Sequence, residues 1–496
     1  MRLDWIEGGT LAQGLRREGL GVSLPCGGKG RCGKCRVKTL EGAPAPLERE
    51  RELLTPEELA EGWRLACLRR PVAGACQVEP PPERDFWALA EFEEAGTPRP
   101  LGPDRGETVL AVDIGTTTLA FCLARGGEVL ERRTAVNPQR SYGADVLSRI
   151  QAAIQGEGEA LRALLCRAVA EGIREIGGEA ERVGLAGNTA MLHLLRGYDC
   201  RGLGSFPFTP VSLTRESLPL GELLGEAGLP DVAAELLPGC SAFVGADIGA
   251  GLLAAGFDRL DAPAFFLDLG TNGEMALWTG REILIASAPA GPAFEGGGLS
   301  CGVGSIAGAI CGAGLEQGRL VLRTIGGAAP VGLCGTGAVE LLYGLLQGGV
   351  LDRTGALCPP YDRVGFPLAK DEAGKLLALT QEDIRQMQLA KAAVRAGAEV
   401  LLGKAGLLPG QVETVFVAGG FGRALGEEAA LGIGLLPPGF AGKLLPLGNT
   451  ALAGTLRFLT EPNAPERLGE IIGQCREIVL AGSQDFEEAY LGQMEF

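Results

Sequence analysis

Four cysteines near the amino terminus are spaced as metal ligands usually are. They follow the pattern Cys-x5-Cys-x2-Cys-x31-Cys and are Cys26, Cys32, Cys35 and Cys67. The first three share the loop CGGKGRCGKC, whose glycines let backbone N–H groups approach the sulfides of an iron–sulfur cluster. A structural zinc site typically shows two short Cys/His pairs instead. The spacing therefore favours an iron–sulfur cluster, which is a one-electron carrier, over zinc.

Two segments that each contain Asp-x-Gly-Thr lie 155 residues apart and resemble one another. They are VDIGTTTLAFCLARGGEVL around Asp113 and LDLGTNGEMALWTGREILI around Asp268. Each reads as a strand, a polar turn and a second strand, with the acid near the end of the first strand. One such turn is weak evidence, because ordinary hairpins contain it. Two of them at this separation predict two similar lobes and do not fit a solenoid, whose repeats span about 20–50 residues.

These turns carry the donors that a bound phosphate requires. Backbone N–H groups and hydroxyls suit an anionic phosphate, and Mg2+ takes one or two carboxylates together with waters and phosphate oxygens. We therefore expect a nucleotide and Mg2+ between the lobes. The predicted phosphate contacts are Gly115, Thr116, Thr117, Gly270, Thr271 and Asn272.

A third glycine-rich segment, VFVAGGFGRAL, follows an apolar strand late in the chain. Its glycines are Gly419, Gly420 and Gly422. Glycines at such a position let the backbone approach a planar base or a ribose, or they simply make a tight turn between strand and helix. The residues alone leave both interpretations open.

The composition limits the class of protein. With 496 residues, of which 46% are apolar, the chain is long enough for about two to four domains. A formal net charge of −16 argues against a nucleic-acid partner, which is normally bound through clustered Lys and Arg. No run approaches about 18 apolar residues, and the start MRLDWIEGGTL lacks the apolar core of a signal peptide. We therefore expect a cytoplasmic protein without a membrane segment, whose cysteines are thiols or metal ligands.

Domain organisation is indicated by changes in composition along the chain. Residues 1–82 form a cysteine-bearing unit, and residues 83–107 are acidic, punctuated by Pro and Gly, and typical of a linker. From residue 108 onwards short apolar strands alternate with Ala/Leu-rich helices, which indicates an α/β fold. We expect a first lobe over 108–236 and a second lobe over 237–496.

Both sets of motifs resemble known families. The cysteine pattern is similar to that of 2Fe–2S ferredoxins of the adrenodoxin type, which have five residues in the first gap. The nucleotide motifs, in this order and without a P-loop sequence, resemble the acetate and sugar kinase/Hsc70/actin superfamily (ASKHA). These resemblances imply an N-terminal β-grasp ferredoxin-like domain and two ribonuclease-H-like lobes with ATP in the cleft. FVGADIGAGLLAAG and GNTALAGTL look like the two connecting helices of ASKHA proteins, and Ala418 to Gly422 look like their adenosine motif. The residues that the resemblance implies to be catalytic are Asp113, Asp247 and Asp268.

A ferredoxin domain joined to an ASKHA unit resembles the reductive activators of corrinoid proteins. Segments along almost the whole chain agree, among them NPQRSYGADVLSRI, GLAGNTAMLHLL and GPAFEGGGLSCGVGSIAGAI. The resemblance implies an ATP-hydrolysing protein that passes one electron from its 2Fe–2S cluster to an inactive Co(II) corrinoid protein and restores Co(I). It also implies a corrinoid protein or corrinoid methyltransferase as partner, an external low-potential electron donor, and a homodimer. No CxxC follows Cys67, so we do not expect a second, 4Fe–4S cluster.

Other functions are compatible with parts of the sequence. An activator of a radical dehydratase also combines an ASKHA fold with iron–sulfur chemistry, but that class typically bridges a 4Fe–4S centre between subunits. A nucleotide-switched electron carrier, or an ATP-dependent activator of another low-potential metalloenzyme, would need the same two sites. A small-molecule kinase would leave the cysteine domain without a role.

Five polar residues outside these motifs need separate interpretation. His193, the only histidine, lies in an apolar helix and is interpreted as structural, since carboxylates are better placed to act as bases. Asn188 and Thr189 either cap a helix or approach the γ-phosphate. Glu295, between glycines, fits a site role and a structural role equally well. Asp145 is interpreted as a solvated helix residue.

Overall fold

The computed structural model shows three regions, each with its own main sheet. The residues that the structure describes are 2–3, 9–17, 22, 24, 28–31, 33–41, 45–70, 76–79, 106–176, 178–316, 319–371 and 374–496. Two predicted cluster ligands, Cys26 and Cys32, lie outside the described residues. So does the predicted linker 83–107, apart from its last two residues. The domain boundaries stay predictions.

The amino-terminal unit is an antiparallel sheet of four strands, ordered β1-β4-β2-β3, with three short helices. The strands are β1 (Arg2–Leu3), β2 (Arg36–Glu41), β3 (Trp63–Leu65) and β4 (Cys76–Glu79). The helices are α1 (Leu11–Arg17), α2 (Glu48–Leu53) and α3 (Pro56–Ala60). Its small core includes Leu15, Val37 and Leu65, all fully buried.

A buried carboxylate fixes the segment that carries Cys67. Glu50 of α2 accepts hydrogen bonds from the backbone N–H of Leu65 at 2.9 Å and from Nε of Arg69 at 2.8 Å. Burial acts to raise the pKa of Glu50, but the hydrogen bonds from Arg69 and the backbone outweigh burial and lower it. Glu50 is therefore ionised and holds the chain on both sides of Cys67.

The first lobe is built on a six-stranded sheet, ordered β7-β6-β5-β8-β10-β9. Its strands are β5 (Thr108–Ile114), β6 (Thr118–Arg125), β7 (Glu128–Val136), β8 (Arg182–Gly187), β9 (Glu216–Pro219) and β10 (Ala233–Leu236). Its helices are α4 (Val146–Ala152), α5 (Gly158–Ile176), α6 (Thr189–Arg196) and α7 (Leu220–Leu224). Strand β5 is buried along almost its whole length, as expected of a central strand that is covered on both faces.

The second lobe is built on another six-stranded sheet, ordered β20-β19-β11-β12-β13-β21. These strands are β11 (Ala264–Leu269), β12 (Gly273–Trp278), β13 (Ile283–Ala288), β19 (Thr414–Ala418), β20 (Leu444–Gly448) and β21 (Cys475–Glu477). A smaller sheet and a hairpin add β14 (Ala309–Glu316), β15 (Arg319–Thr324), β16 (Gly332–Leu333), β17 (Phe366–Lys370) and β18 (Leu376–Leu379).

Eight helices accompany these strands. They are α8 (Ala246–Ala255), α9 (Gly335–Gln347), α10 (Gln381–Ala405), α11 (Gly419–Ala424), α12 (Glu427–Gly432), α13 (Thr450–Thr460), α14 (Ala464–Gly473) and α15 (Gln484–Gly492). Within the described ranges, no helix is long and apolar enough to cross a membrane.

The two large sheets repeat one pattern, as the internal sequence echo predicts. Each has three antiparallel strands followed by two parallel ones, which are β7-β6-β5 with β8 and β10, and β13-β12-β11 with β19 and β20. Asp113 and Asp268 are the second-to-last residues of the equivalent strands β5 and β11. The topology is that of the predicted α/β fold, with a small amino-terminal sheet domain and two similar lobes.

Helices α8 and α13, the predicted connecting helices, cross between the two large sheets. Their apolar residues join one core with residues of β5 and β11. At the crossing, a Cβ on Gly454 would collide with the backbone oxygen of Ala250, so only glycine allows this approach. The core between the lobes thus holds both predicted phosphate turns, 115–117 and 270–272, against one pair of helices.

Candidate functional site

Two of the four predicted cluster ligands face one another in the amino-terminal unit. The Sγ atoms of Cys35, just before β2, and Cys67, just after β3, are 3.2 Å apart. Gly28, Gly30 and Gly33, in the loop that precedes Cys35, have φ of +76°, +67° and +63°. A side chain at Gly30 would also collide with Leu68. The thiol pair and the left-handed glycine loop fit a cluster that needs close backbone approach.

The lysine that precedes Cys35 contacts the second lobe. Nζ of Lys34 donates to the backbone oxygens of Ser300 at 3.2 Å and Gly302 at 3.3 Å. These oxygens belong to the segment GGGLSCGVG, which follows Glu295. A residue next to a cluster ligand is therefore joined to the lobe that carries the second phosphate turn.

The predicted nucleotide residues meet at one cavity of about 480 Å3 between the lobes. The predicted residues that line it are Asp113, Gly115, Thr116, Thr117, Asp247, Asp268, Gly270, Thr271, Asn272, Gly419 and Gly420. Gly422 is not among them. A Cβ at Gly422 would lie 2.6 Å from Cγ1 of Val417, so this glycine allows α11 to pack under β19. Gly422 therefore lies at a tight turn between strand and helix and does not line the cavity, where an adenosine contact was predicted.

Three carboxyl groups in the cavity hold protons more tightly than ordinary carboxyls. Burial raises the pKa of Asp113 to about 7 and that of Asp268 to about 7, with charge repulsion from Asp247 adding to both. Burial likewise raises the pKa of Asp247 to about 6, although a backbone N–H of Ile248 opposes the shift. Gathering these acids therefore costs free energy that a cation in the cleft would offset.

A fourth acid of the cavity, Glu274, was not predicted from the sequence. It pairs with Asp268 across β11 and β12, is buried, and accepts a hydrogen bond from Nδ2 of Asn272 at 3.3 Å. Burial, with the charges of Asp247 and Asp268, raises its pKa well above the ordinary value. The equivalent partner of Asp113 is Ala120. Aligning the two similar segments residue by residue would have shown that an acid stands in the second strand of the later segment, where the earlier one has alanine.

Glu295 links the two phosphate turns. Its Oε2 accepts a hydrogen bond from Oγ1 of Thr117 at 3.1 Å and another from Oγ1 of Thr271 at 2.9 Å. Burial raises the pKa of Glu295, while the two hydroxyl hydrogen bonds and the charge of Arg149 oppose that shift. Glu295 therefore belongs to the cavity and is more than a structural residue between glycines.

Arg149 supports the first phosphate turn from beneath and was missed in the sequence. Its guanidinium is fully buried and donates to the backbone oxygens of Thr116 at 2.5 Å and Gly143 at 3.0 Å. Burial lowers its pKa to about 10, so it stays charged at neutral pH.

Asp145 caps the helix that carries Arg149, accepting hydrogen bonds from the backbone N–H and the hydroxyl of Ser148 at 2.7 Å. Interpreting Asp145 as a solvated helix residue is wrong.

His193 is structural, as predicted. Nδ1 of His193 donates to the backbone oxygen of Thr189 at 2.8 Å, and Nε2 accepts from the backbone N–H of Val211 at 3.0 Å. Both ring nitrogens are used by the neutral side chain, and burial lowers its pKa. Asn188 caps α6 and also lines the cavity, and its approach to the γ-phosphate stays a prediction.

Across the described part of the chain, no three His, Cys, Asp or Glu side chains lie close enough to hold a metal ion by themselves. Mg2+ in the cleft would therefore depend on phosphate oxygens and waters as well as on the carboxylates, which is its usual coordination in nucleotide sites.

Three family models together match most of the chain. The 2Fe–2S iron–sulfur cluster binding domain matches residues 2–72, the RACo middle region matches 108–260, and the C-terminal domain of RACo, the ASKHA domain, matches 262–496. The amino-terminal unit is therefore a 2Fe–2S cluster domain.

Two relatives and one solved structure agree with these matches. The chain is 30% identical over 414 residues to the corrinoid activation enzyme RamQ of Eubacterium limosum, covering 77% of this chain and 69% of the relative. It is 27% identical over 351 residues to the Co(II) methylated amine-specific corrinoid protein reductase of Methanosarcina barkeri, covering 64% and 63%.

The solved structure is a reductive activator for corrinoid, iron–sulfur protein. It matches with a TM-score of 0.72 at 26% identity and covers 100% of this chain and 96% of that one. The fold, the order of the domains and these relatives agree, so the chain belongs to the RACo-like family of corrinoid activators.

Proposed function

We propose that this protein is an ATP-dependent reductive activator, which passes one electron from its 2Fe–2S cluster to a Co(II) corrinoid protein and restores Co(I). The cobalt gains the electron that the cluster loses, and an external low-potential donor supplies the next one. One observation carries the proposal: the phosphate turns of both lobes line one cavity, and Lys34 beside Cys35 contacts the same lobe as Asp268. The named relatives act on corrinoid proteins.

The cleft residues divide the work on MgATP. Thr117 and Thr271 offer hydroxyl donors to the phosphates, one from each lobe. Asp113, Asp247 and Asp268 would hold Mg2+ through waters and orient the attacking water. Asn449, whose Nδ2 donates to Oδ2 of Asp113, keeps that carboxylate oriented and favours its ionised form.

Cys35 and Cys67, with the predicted ligands Cys26 and Cys32, would hold the cluster. The bound cluster supplies a one-electron centre of low potential. Lys34 and the glycine loop place positive charge and backbone N–H groups beside an anionic group, which stabilises it.

Hydrolysis cannot change the potentials of isolated partners, but it can alternate the conformations that bind them. The two lobes share a core at α8 and α13, so a nucleotide that contacts both turns has a direct means to change their separation. We propose that this change alters how tightly the corrinoid partner is held. We also propose that the protein is a homodimer. Light scattering, which measures the molar mass in solution, tests this.

The test uses the full-length protein, purified without oxygen and supplied with a chemical reductant and a Co(II) corrinoid protein. Formation of Co(I), followed by its absorption, should require MgATP. Asp268→Asn should keep the cluster but stop cobalt reduction, and Cys67→Ala should keep hydrolysis but stop cobalt reduction. Equal reduction without ATP would make the protein an electron carrier with an incidental nucleotide site. Partner-independent hydrolysis with no cobalt reduction would favour activation of another low-potential metalloenzyme.

A further inference from the structure

One carboxylate oxygen accepts the hydroxyl of each phosphate turn. Oε2 of Glu295 lies 3.1 Å from Oγ1 of Thr117 in the first lobe and 2.9 Å from Oγ1 of Thr271 in the second. Each hydroxyl has a single hydrogen to donate. While both hydroxyls point at Glu295, neither is available to another acceptor.

A phosphate oxygen and a carboxylate oxygen are equivalent acceptors for these hydroxyls. The ionised form of Glu295, which the two hydroxyl hydrogen bonds and the charge of Arg149 favour against burial, is negative like the phosphate. A phosphate that uses Thr117 and Thr271 must therefore take their hydrogen bonds from Glu295, and like charge then repels the carboxylate. The hydroxyls come from opposite lobes, so only a phosphate group that reaches both of them competes in this way. A shorter nucleotide that reaches one lobe's turn competes less.

The segment after Glu295 is closed on itself. A Cβ at Gly296 would collide with the backbone oxygen of Val303, and one at Gly302 would collide with the backbone oxygen of Gly296. Residues 296–303 thus form a compact loop whose two ends are in backbone contact. A displacement of Glu295 is therefore transmitted to the other end of the loop at Gly302.

The cluster domain contacts this loop at Ser300 and Gly302. Nζ of Lys34 donates to the backbone oxygens of Ser300 and Gly302 at 3.2 and 3.3 Å. Ser300 is also bound to Asp383 of α10 through its N–H and its hydroxyl, both at 2.6 Å. Because Asp383 fixes Ser300, the contact at Gly302 is the one that a shift of Glu295 would loosen.

We propose that Glu295 is the residue that distinguishes ATP from ADP: the terminal phosphate displaces its carboxylate, and the 296–303 loop then loosens its contact with Lys34. This inference rests on the proposed nucleotide function and adds to it the residue that senses the phosphate and the route to the cluster domain. Its consequence is that ATP, and not ADP, frees the cluster domain from the second lobe.

Nucleotide affinity provides the first test. Binding of a non-hydrolysable ATP analogue and of ADP, each with Mg2+, is measured by calorimetry for the wild type, Glu295→Ala and Glu295→Gln. We expect the analogue to bind at least tenfold tighter to Glu295→Ala, with ADP changed less than twofold and Glu295→Gln intermediate. Glu340→Ala, which removes an acid outside the cavity that pairs with Arg323, should leave both affinities unchanged. Unchanged or weaker analogue binding in both Glu295 variants would overturn the proposal.

Amide hydrogen exchange provides the second test. In the wild type the analogue should increase exchange in residues 299–304 and around Lys34, whereas ADP should not. In Glu295→Ala this exchange should be high with either nucleotide. If the analogue binds to the wild type but leaves the exchange there unchanged, the inference fails while the proposed function stands. If the wild type binds neither nucleotide, the proposed function itself fails.

Discussion

Asn449 and Asp113, 336 residues apart in sequence, are joined by a hydrogen bond from Nδ2 to Oδ2 of 2.9 Å. Asn449 stands at the start of α13 directly after β20 of the second lobe, and Asp113 is the second-to-last residue of β5 in the first lobe. Asn449 therefore ties the helix between the lobes to the carboxylate of the first phosphate turn. The same side chain caps α13 through its Oδ1, so the helix start and the carboxylate orientation depend on one residue.

Replacing Asn449 should change the pH dependence of ATP hydrolysis. The Asn449 hydrogen bond opposes the burial that raises the pKa of Asp113 to about 7, so Asn449→Ala should raise that pKa further. If Asp113 acts as the carboxylate, the acid limb of the rate profile should move to higher pH. Asn463→Ala, at a helix start where the side chain makes no cap, is the matched control. An acid limb that stays in place would contradict this role for Asp113.

Asp268→Asn should separate activity from stability. We expect hydrolysis to fall by about two orders of magnitude or more, the effect of losing a positioned catalytic group. The same change removes a buried charge beside Asp247, so the melting temperature should rise by about 2–4 °C. Both quantities are measured on the same preparation. Near-wild-type hydrolysis, or a lower melting temperature, would argue against a charged Asp268 in the cleft.

The stability of the protein should decrease as the pH rises through the neutral range. The folded pKa values of Asp113, Asp247 and Asp268 lie at about 7, 6 and 7, above those of unfolded carboxyls. Protonation therefore favours the folded state, and this contribution is lost as the pH rises from about 4 to about 7. Melting curves at about pH 5.5, 6.5 and 7.5 should show the decline, and MgATP should reverse it. A decline that MgATP leaves unchanged would mean that the cation does not reach these acids.

Arg149→Met should destabilise the first lobe and weaken nucleotide binding. It would leave the backbone oxygens of Thr116 and Gly143 without their donor, at about 1–3 kcal/mol for each buried group. Arg149→Lys should be intermediate, because one ammonium cannot replace a planar guanidinium that donates in two directions. Chemical denaturation gives the free energy of unfolding. Arg281→Met, exposed in the second lobe, should have little effect, and an equal loss there would remove the case for Arg149.

Metal analysis tests the cluster. Protein purified without oxygen should contain about two irons and about two sulfides per chain. Cys67→Ala, alone or with Cys32→Ala, should lose both, whereas Cys358→Ser removes a free thiol far along the chain and should lose neither. Four irons per chain, or a cluster that survives the double replacement, would show that other residues hold it.

Much of the architecture could be predicted from local sequence. The echo around Asp113 and Asp268 predicted two lobes because strand, turn and strand are encoded within about 20 adjacent residues. Cysteine spacing predicted the cluster domain in the same way. The small sheet of β14, β15 and β16 was not predicted, since nothing in its sequence distinguishes it from the strands of the lobes.

The site residues that the sequence left undecided, as for Glu295, or did not indicate, as for Arg149, are those whose role depends on distant partners. Glu295 meets Thr117 across 178 residues, and Arg149 meets Thr116 across 33. No local sequence pattern predicts such pairs, because the two residues come into contact only when the chain is folded. Glu274 differs, because its position opposite Asp268 could be read from the repeat itself.

Gly454 has a consequence for how the protein moves. Where α13 meets Ala250 of α8, Gly454 has no side chain, so backbone lies directly on backbone at this point of the crossing. Interlocked side chains must change rotamer when packed helices slide, whereas a bare contact lets one helix turn on the other with little rearrangement. We therefore expect opening and closing of the cleft to be a rotation of one helix on the other at Gly454. A methyl group added there would hold the helices apart and fix the cleft at one angle.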